Sequence, residues 1–340
     1  MFKSRTPNHT DSQGNDVDGS IASIKRVKIG GVDQYILLRG IDRNNPILLF
    51  LHGGPGAAQI GFARHYQTDL EKHFLVVNWD QRGSGKSYSR KINPTSMNIE
   101  QFIQDTHELI QVLLHLFGHK KLFLAGHSWG SIIGAMTARR YPELIHAYIG
   151  IGQMVDARHS MLLSYQKLLT CARKKDNQKA IRQLNRIGHP PYDKIRSFSV
   201  YQKWLKKFGG SIRGGTFTKI FAKGFSSTEY TLNDWYRFRK GLRFSAQYLG
   251  EEILKANLLQ EVPELKVPAY FCTGRHDCQA PWELQEQYFA DLTAPAKQMI
   301  WFENSAHAPH FEEPFSFFIQ CLRIKEEVLT PHLKRSLFLV

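Results

Sequence analysis

One pentapeptide, Gly126-His127-Ser128-Trp129-Gly130, constrains this chain more than any other stretch of its 340 residues. It follows the apolar run 121–125 and precedes a helix-prone segment, 131–141, so a strand, a sharp turn and a helix are expected in immediate succession. Glycine two residues before and two after the serine leaves those places without side chains, as a tight and strained turn requires. A strand that feeds a helix this directly belongs in a parallel sheet whose helices carry the chain back across its faces.

The surrounding segments keep the same rhythm. Residues 21–28 and 34–39 are β-like and separated by Gly30-Gly31, which predicts a hairpin. Residues 46–51 are apolar throughout, as in a strand buried on both faces, and run into His52-Gly-Gly-Pro-Gly56. The next strand, 74–78, enters Trp79-Asp-Gln-Arg-Gly-Ser-Gly-Lys-Ser87. Helical periodicity over 98–117 puts Phe102, Ile103, Leu109, Val112, Leu113 and Leu116 on one broad face, and Gly118 ends the helix. After strand 147–152 the alternation stops, in a stretch broken by Gly188, Gly209-Gly210 and Gly214-Gly215. It resumes with strand 267–273, helix 281–290, strand 298–302 and a helix from about Pro314. The expectation is an α/β fold: a mostly parallel sheet flanked by helices, built from 21–152 and 261–340. A mainly helical cap, 153–260, is inserted, and a polar arm, 1–20, precedes the core and is expected to be flexible.

Charge is distributed unevenly. The formal charge is +15, and residues 153–260 hold 21 Lys and Arg against seven Asp and Glu. A solvated basic face accounts for this; attraction of anionic substrates, a membrane surface or nucleic acid are the sharper alternatives, and no nucleic-acid-binding motif accompanies them. Cys171, Cys272, Cys278 and Cys321 have neither the number nor the spacing of a disulfide framework or a zinc site, which suits a reducing compartment. No secretory signal and no apolar run of about 18 residues is visible. A cytoplasmic location, no stable membrane insertion and no metal are therefore expected.

Ser128, lifted out of the turn at a helix N-terminus, has the setting of a nucleophile. It needs a base, and the base needs an orienting acid. Asp277, in Gly274-Arg-His-Asp-Cys278, follows the strand ending at Thr273, and His307, in Asn304-Ser-Ala-His-Ala-Pro309, follows the strand ending at Phe302. Parallel strands bring both to the sheet edge that carries Ser128. His310 and His276 are less well placed competitors. Amides of Trp129 and of Gly54 are the candidate donors for an oxyanion. Gly85-Lys86-Ser87 is not a phosphate loop, because the glycine required five residues earlier is Asp80. Arg82 is expected to brace its loop.

Together, His52-Gly-Gly-Pro-Gly56, Trp79-Asp-Gln-Arg-Gly-Ser-Gly-Lys-Ser87 and Gly126-His-Ser-Trp-Gly-Ser131 resemble the proline iminopeptidases and their α/β-hydrolase relatives. The resemblance covers roughly 30–152 and 262–325. It implies an α/β-hydrolase fold, a Ser128–Asp277–His307 triad, an oxyanion donor at Gly54, no cofactor, and removal of an N-terminal residue from a short peptide. It also implies acidic groups in the cap that hold the substrate amine, for which Glu229 is the best candidate. The cap is poor in acids, so an esterase, lactonase or C–C bond hydrolase acting on a neutral or anionic small molecule is the alternative. A non-catalytic binding or signalling protein on the same fold is the reading from another class.

Overall fold

The computed structural model describes residues 4–192, 194–213 and 217–330. The first three residues of the arm, Asp193, the Gly214-Gly215 pair and residues 331–340 of the expected core lie outside them. Eight strands form one sheet: β1 (Ile21–Ile29), β2 (Val32–Gly40), β3 (Ile47–Leu51), β4 (Leu75–Asp80), β5 (Leu122–His127), β6 (Ile145–Ile151), β7 (Ala269–Gly274) and β8 (Lys297–Phe302). Their order is β1-β2-β4-β3-β5-β6-β7-β8, antiparallel where β2 meets β1 and β4 and parallel in every other pairing. Gly30 and Gly31, at φ 53° and 76°, form the β1–β2 turn, with the two positive φ values whose twist matches that of paired strands.

Alternation along β3 sorts its side chains between two cores. Ile47, Leu49 and Leu51 join a cluster with Leu109, Leu113, Trp129 and Ile132 on one face, whereas Leu48 and Phe50 pack with Phe74, Phe317, Cys321 and Ile324 on the other. Every residue of β3 and β4 is buried, as a sheet covered by helices on both faces demands. On helix Ile99–Phe117 the buried stripe is Phe102, Ile103, Thr106, Leu109, Ile110, Leu113 and Leu114. Val112 and Leu116, expected on that face, are 37% and 61% exposed. At about 100° per residue Val112 stands on the flank of the stripe, whereas Leu116 is in line with Leu109 and is exposed in the last turn of the helix.

Between β6 and β7 lies a helical insert: Ala157–Lys174, Gln178–Ile187, Ile195–Lys207, Phe217–Phe225, Leu232–Lys255 and Leu258–Glu261. Its first three helices enclose Tyr165, Leu168, Ala172, Leu184, Tyr201, Trp204 and Leu205, so several of the insert's aromatics make its own core. The long helix Leu232–Lys255 starts with a reciprocal cap between Thr231 and Asp234. It is anchored to the sheet loops by Lys86 Nζ, which donates to Asp234 Oδ2 at 2.7 Å, and by Arg237, which donates to the Tyr88 carbonyl at 2.8 Å. Lys86 is thus engaged in a buried ion pair.

Residues 4–7 of the arm, expected to be flexible, make hydrogen bonds with the core and the insert. Arg5 N–H donates to the Thr228 carbonyl at 3.0 Å, and Lys86 Nζ donates to Ser4 Oγ at 2.8 Å. Arg39 Nη1 donates to Thr6 Oγ1 and to the Pro7 carbonyl, both at 2.6 Å. Polar composition reads as solvated chain, but here those polar groups add acceptors to buried cations already paired with Glu71 and Asp234. No helix among the described residues is long and apolar enough to cross a membrane.

Candidate active site

Ser128 sits between β5 and helix Trp129–Arg140 at φ 54°, ψ −117°, a sparsely populated conformation for a residue with a side chain. Its N–H donates to the Ile151 carbonyl at 3.0 Å, pinning the turn to β6. The flanking glycines are sterically required. A Cβ on Gly126 would lie 2.3 Å from the Gly130 carbonyl oxygen, and one on Gly130 would lie 2.1 Å from that of Leu51. The pentapeptide is the sequence that lets strand, turn and helix pack at this distance.

Asp277 and His307 meet at the same sheet edge. His307 Nδ1–H donates to Asp277 Oδ2 at 2.8 Å, and Asp277 Oδ1 accepts from the Gln279 and Ala280 amides, each at 2.8 Å. The second ring nitrogen, Nε2, is buried and has no hydrogen-bond partner among the described residues. The tautomer is therefore set by the carboxylate, with a lone pair left on Nε2, the arrangement a general base needs. The His307 ring lies against Gly152, the neighbour of Ile151, whose carbonyl holds Ser128; a Cβ on Gly152 would be 2.9 Å from His307 Nδ1. His127 Nε2–H, next to Ser128 in the chain, donates to the His307 carbonyl at 2.9 Å. Exposures of 3% for Ser128, 0% for Asp277 and 2% for His307 place the group under cover.

The covering segment comes from the insert. His307 N–H donates to the Ser211 carbonyl at 3.2 Å, Cys278 N–H to the Gly210 carbonyl at 3.0 Å, and Ser211 Oγ to Gln279 Oε1 at 3.1 Å. On the other side runs the His52–Gly56 loop: a Cβ on Gly53 would be 3.1 Å from Ser128 Cβ. Gly54 follows at φ 122°, and Trp129 opens the helix. Beneath them Gln81 links the parts. Its amide donates to the His52 carbonyl at 3.0 Å, and its Oε1 accepts from Trp129 Nε1 at 3.0 Å. Arg82 braces the adjacent turn, donating twice to Asp105 at 2.8 Å and once to the Gly30 carbonyl at 2.8 Å.

Among the other candidates, His310 is buried and packed near His127 and Phe311, with no hydrogen-bond partner on either ring nitrogen among the described residues. Burial and the nearby His307 push it down to about 3. It lacks the carboxylate that His307 has. His276 is partly exposed and its imidazole is lowered by desolvation and Arg213. Glu229 is not offered to a substrate: Oε1 accepts from Arg64 Nε at 2.6 Å and Thr6 Oγ1 at 2.8 Å, and Oε2 accepts from Ser227 Oγ. These hydrogen bonds hold its carboxyl below the usual range against its burial. Glu229, the expected amine binder, is thus engaged by a guanidinium and two hydroxyls, which leaves little of its carboxylate for a second cation. All four cysteines are free thiols.

Buried neutral histidines make stability pH-dependent. His52 and His146 are pushed down to about 4 and His310 to about 3 from an ordinary 6.5, with burial the largest cause in each. Below 6.5 the unfolded chain takes up protons that the folded chain refuses, so their contribution is full above that pH and is lost as pH falls toward 4. Asp80, raised to about 6 by burial, and Glu71 and Glu312, raised by the same cause, act in the opposite sense and are outnumbered by the lowered histidines, His9 and His127 included. The melting temperature is expected to hold above about pH 7 and to fall steadily between about pH 6.5 and 4.5. Calorimetry across that interval checks this; a level or rising melting temperature contradicts it.

Reading residue types and strand ends brought out Ser128, Asp277 and His307. It missed Ser211, Gln285 and Glu312. Gln285 accepts from Thr273 Oγ1 at 2.8 Å and from Gln153 N–H at 3.2 Å, tying β6 and β7 beneath Asp277. Glu312 accepts from the amides on both sides of His307. The one signal in the chain was the nearness of Glu312-Glu313 to His307, and a carboxylate five residues on from a histidine has no set partner until the loop closes.

Comparison with known proteins agrees with this architecture. Residues 46–314 match the family model for the α/β-hydrolase fold. The probable aminopeptidase YbaC of Bacillus subtilis is 41% identical over 300 residues, covering 88% of this chain and 94% of the relative. The proline iminopeptidase of Heyndrickxia coagulans is 24% identical over 282 residues, covering 78% of this chain and 86% of the relative. The crystal structure of the proline iminopeptidase of Mycobacterium smegmatis superposes with a TM-score of 0.66 at 18% identity, covering 91% of this chain and 100% of that one, a likeness of fold. With a glycine-flanked serine at the strand–helix turn and an aspartate-paired histidine on the same sheet edge, the chain belongs to the α/β-hydrolase fold family and is a hydrolase.

Proposed function

We propose that the protein is a serine hydrolase acting through an acyl-enzyme on a small amide or ester, with removal of an N-terminal residue from short peptides as its reaction. The observation that carries this reading is the His307 ring, held by Asp277 through Nδ1 with Nε2 free of any partner among the described residues, beside a serine in a strained turn. Ser128 Oγ attacks the acyl carbon as its proton passes to His307 Nε2, and Asp277 stabilises the imidazolium that results. The carbonyl oxygen, now carrying negative charge, is received by the amides of Gly54 and Trp129. The leaving amine takes the proton from His307, and the acyl-enzyme forms. Water then attacks the acyl carbon as it gives its proton to His307, and His307 returns that proton to Ser128 Oγ as the ester bond breaks and the carboxylic acid leaves. The inserted helices serve as a cap that excludes bulk water.

The aminopeptidase reading is supported by the extent of the likeness to YbaC, which spans the insert as well as the sheet. An esterase, lactonase or C–C hydrolase is favoured instead by the internal use of Glu229 and by an insert rich in cations. Initial rates on proline, alanine and other aminoacyl naphthylamides, set beside short p-nitrophenyl esters, decide between them. Turnover of aminoacyl amides is the expected result. Turnover of esters with no release of naphthylamine overturns it.

A further inference from the structure

The serine nucleophile, its base and the orienting acid account for the chemistry, yet one partly buried carboxylate beside them has no part in it. Glu312 ends the short helix Pro309–Glu312. Its Oε1 accepts the N–H of Ala306 at 3.0 Å and of Ala308 at 2.9 Å, the two residues that flank His307. Its Oε2 accepts the N–H of Arg213, in the insert, at 2.6 Å. The same stretch of insert supplies the Ser211 carbonyl to His307 N–H and the Gly210 carbonyl to Cys278 N–H. Residues 210–213 therefore touch the backbone of both the base loop and the acid loop, and Glu312 joins that stretch to the base loop through a single side chain.

We infer that Glu312 is a positioning residue that couples the seating of the insert to the placement of His307. This rests on the serine hydrolase reading of the site. The direction of the His307 ring is set by the backbone of 306–308, and that backbone is held from one side by Glu312 Oε1 and from the other by the Ser211 carbonyl. Loss of the carboxylate leaves two amides beside the base, and one in the insert, without acceptors, and these reorient to find others. A shift of about 1 Å in a reacting group is enough to cost on the order of a hundredfold in rate. Contacts from the insert thus help to hold the loop that carries the base.

The test is kinetic and is normalised to active sites titrated with a fluorophosphonate, so that a loss of folded protein does not count. Glu312→Ala is expected to lower kcat per titrated site by roughly a hundredfold with KM changed by less than about threefold. Glu312→Gln keeps an acceptor for Ala306 and Ala308 but turns a donor toward the Arg213 N–H, and Arg213→Pro removes that N–H while leaving the carboxylate in place. Each is expected to lower kcat by about tenfold. Should Glu312→Ala not fold, these two variants decide. Values of kcat per titrated site within about twofold of the unmodified enzyme overturn the inference while the serine hydrolase reading stands. If the unmodified enzyme takes no label at Ser128, that reading falls and the inference falls with it.

Discussion

Ser128→Ala is expected to abolish hydrolysis and to end labelling by a fluorophosphonate, with kcat reduced by roughly four to six orders of magnitude. The loss is large because the triad acts as a unit: without the hydroxyl, the lone pair on His307 Nε2 has no nucleophile to activate. What survives is the contribution of the oxyanion donors and of substrate placement. The fold should be little affected. The turn is held by the backbone bond from Ser128 N–H to the Ile151 carbonyl and by the glycines at 126 and 130, all of which the variant retains. His307→Ala should give a loss of similar size and Asp277→Asn a smaller one. The measurement is turnover of the best substrate together with label incorporation read by mass spectrometry. Labelling that persists in Ser128→Ala sinks the assignment of the nucleophile.

Arg82→Ala should destabilise the fold strongly, because it breaks an ion pair whose two partners are both buried. Arg82 is 2% exposed and paired with fully buried Asp105, which also accepts from Gln34 Nε2 and Gln101 Nε2, each at 2.8 Å. Removing the guanidinium leaves Asp105 charged and buried with two amide donors, a state that costs on the order of 3–5 kcal/mol when one partner of a buried pair is deleted. The same residue carries the loop that follows Gln81, which links His52 to Trp129, so activity should fall at temperatures where the variant is still folded. Replacing both partners by apolar residues of similar volume should recover most of the stability, since the cost lies in the unpaired charge. Urea unfolding of the two variants checks this. A loss below about 1 kcal/mol for Arg82→Ala would show that the pair is not the brace its geometry describes.

Much of the architecture was legible because its causes are local. Apolar runs without alternation made β3, β4 and β5 internal strands, and the return of the strand–helix rhythm after residue 266 showed where the insert ends. Asp277 and His307 were found for a related reason: in parallel strands, the residues just beyond each carboxyl end share one edge. The errors have a common origin too. Glu229 was read as a free acid because its partners, Arg64 and Thr6, lie 165 and 223 residues away in the chain. The contacts of the arm with Arg39 and Lys86 were not legible either, because nothing in its own composition shows which distant side chains it meets. Val112 and Leu116 were expected to be buried because apolar character alone locates neither the edge of a helical stripe nor the turn at which its cover ends.

The residues from Gly126 to Gly130 determined by themselves that a strand, a strained turn and a helix would follow one another, since no residue larger than glycine fits at either flank. They also determined which side chain would stand at the apex. Which carboxylates are spent inside the protein, and which backbone amides hold His307 in place, was decided only when distant segments met. A side chain's chemical type is a property of the chain, but whether its charge and its lone pairs are already satisfied is a property of the packing around it.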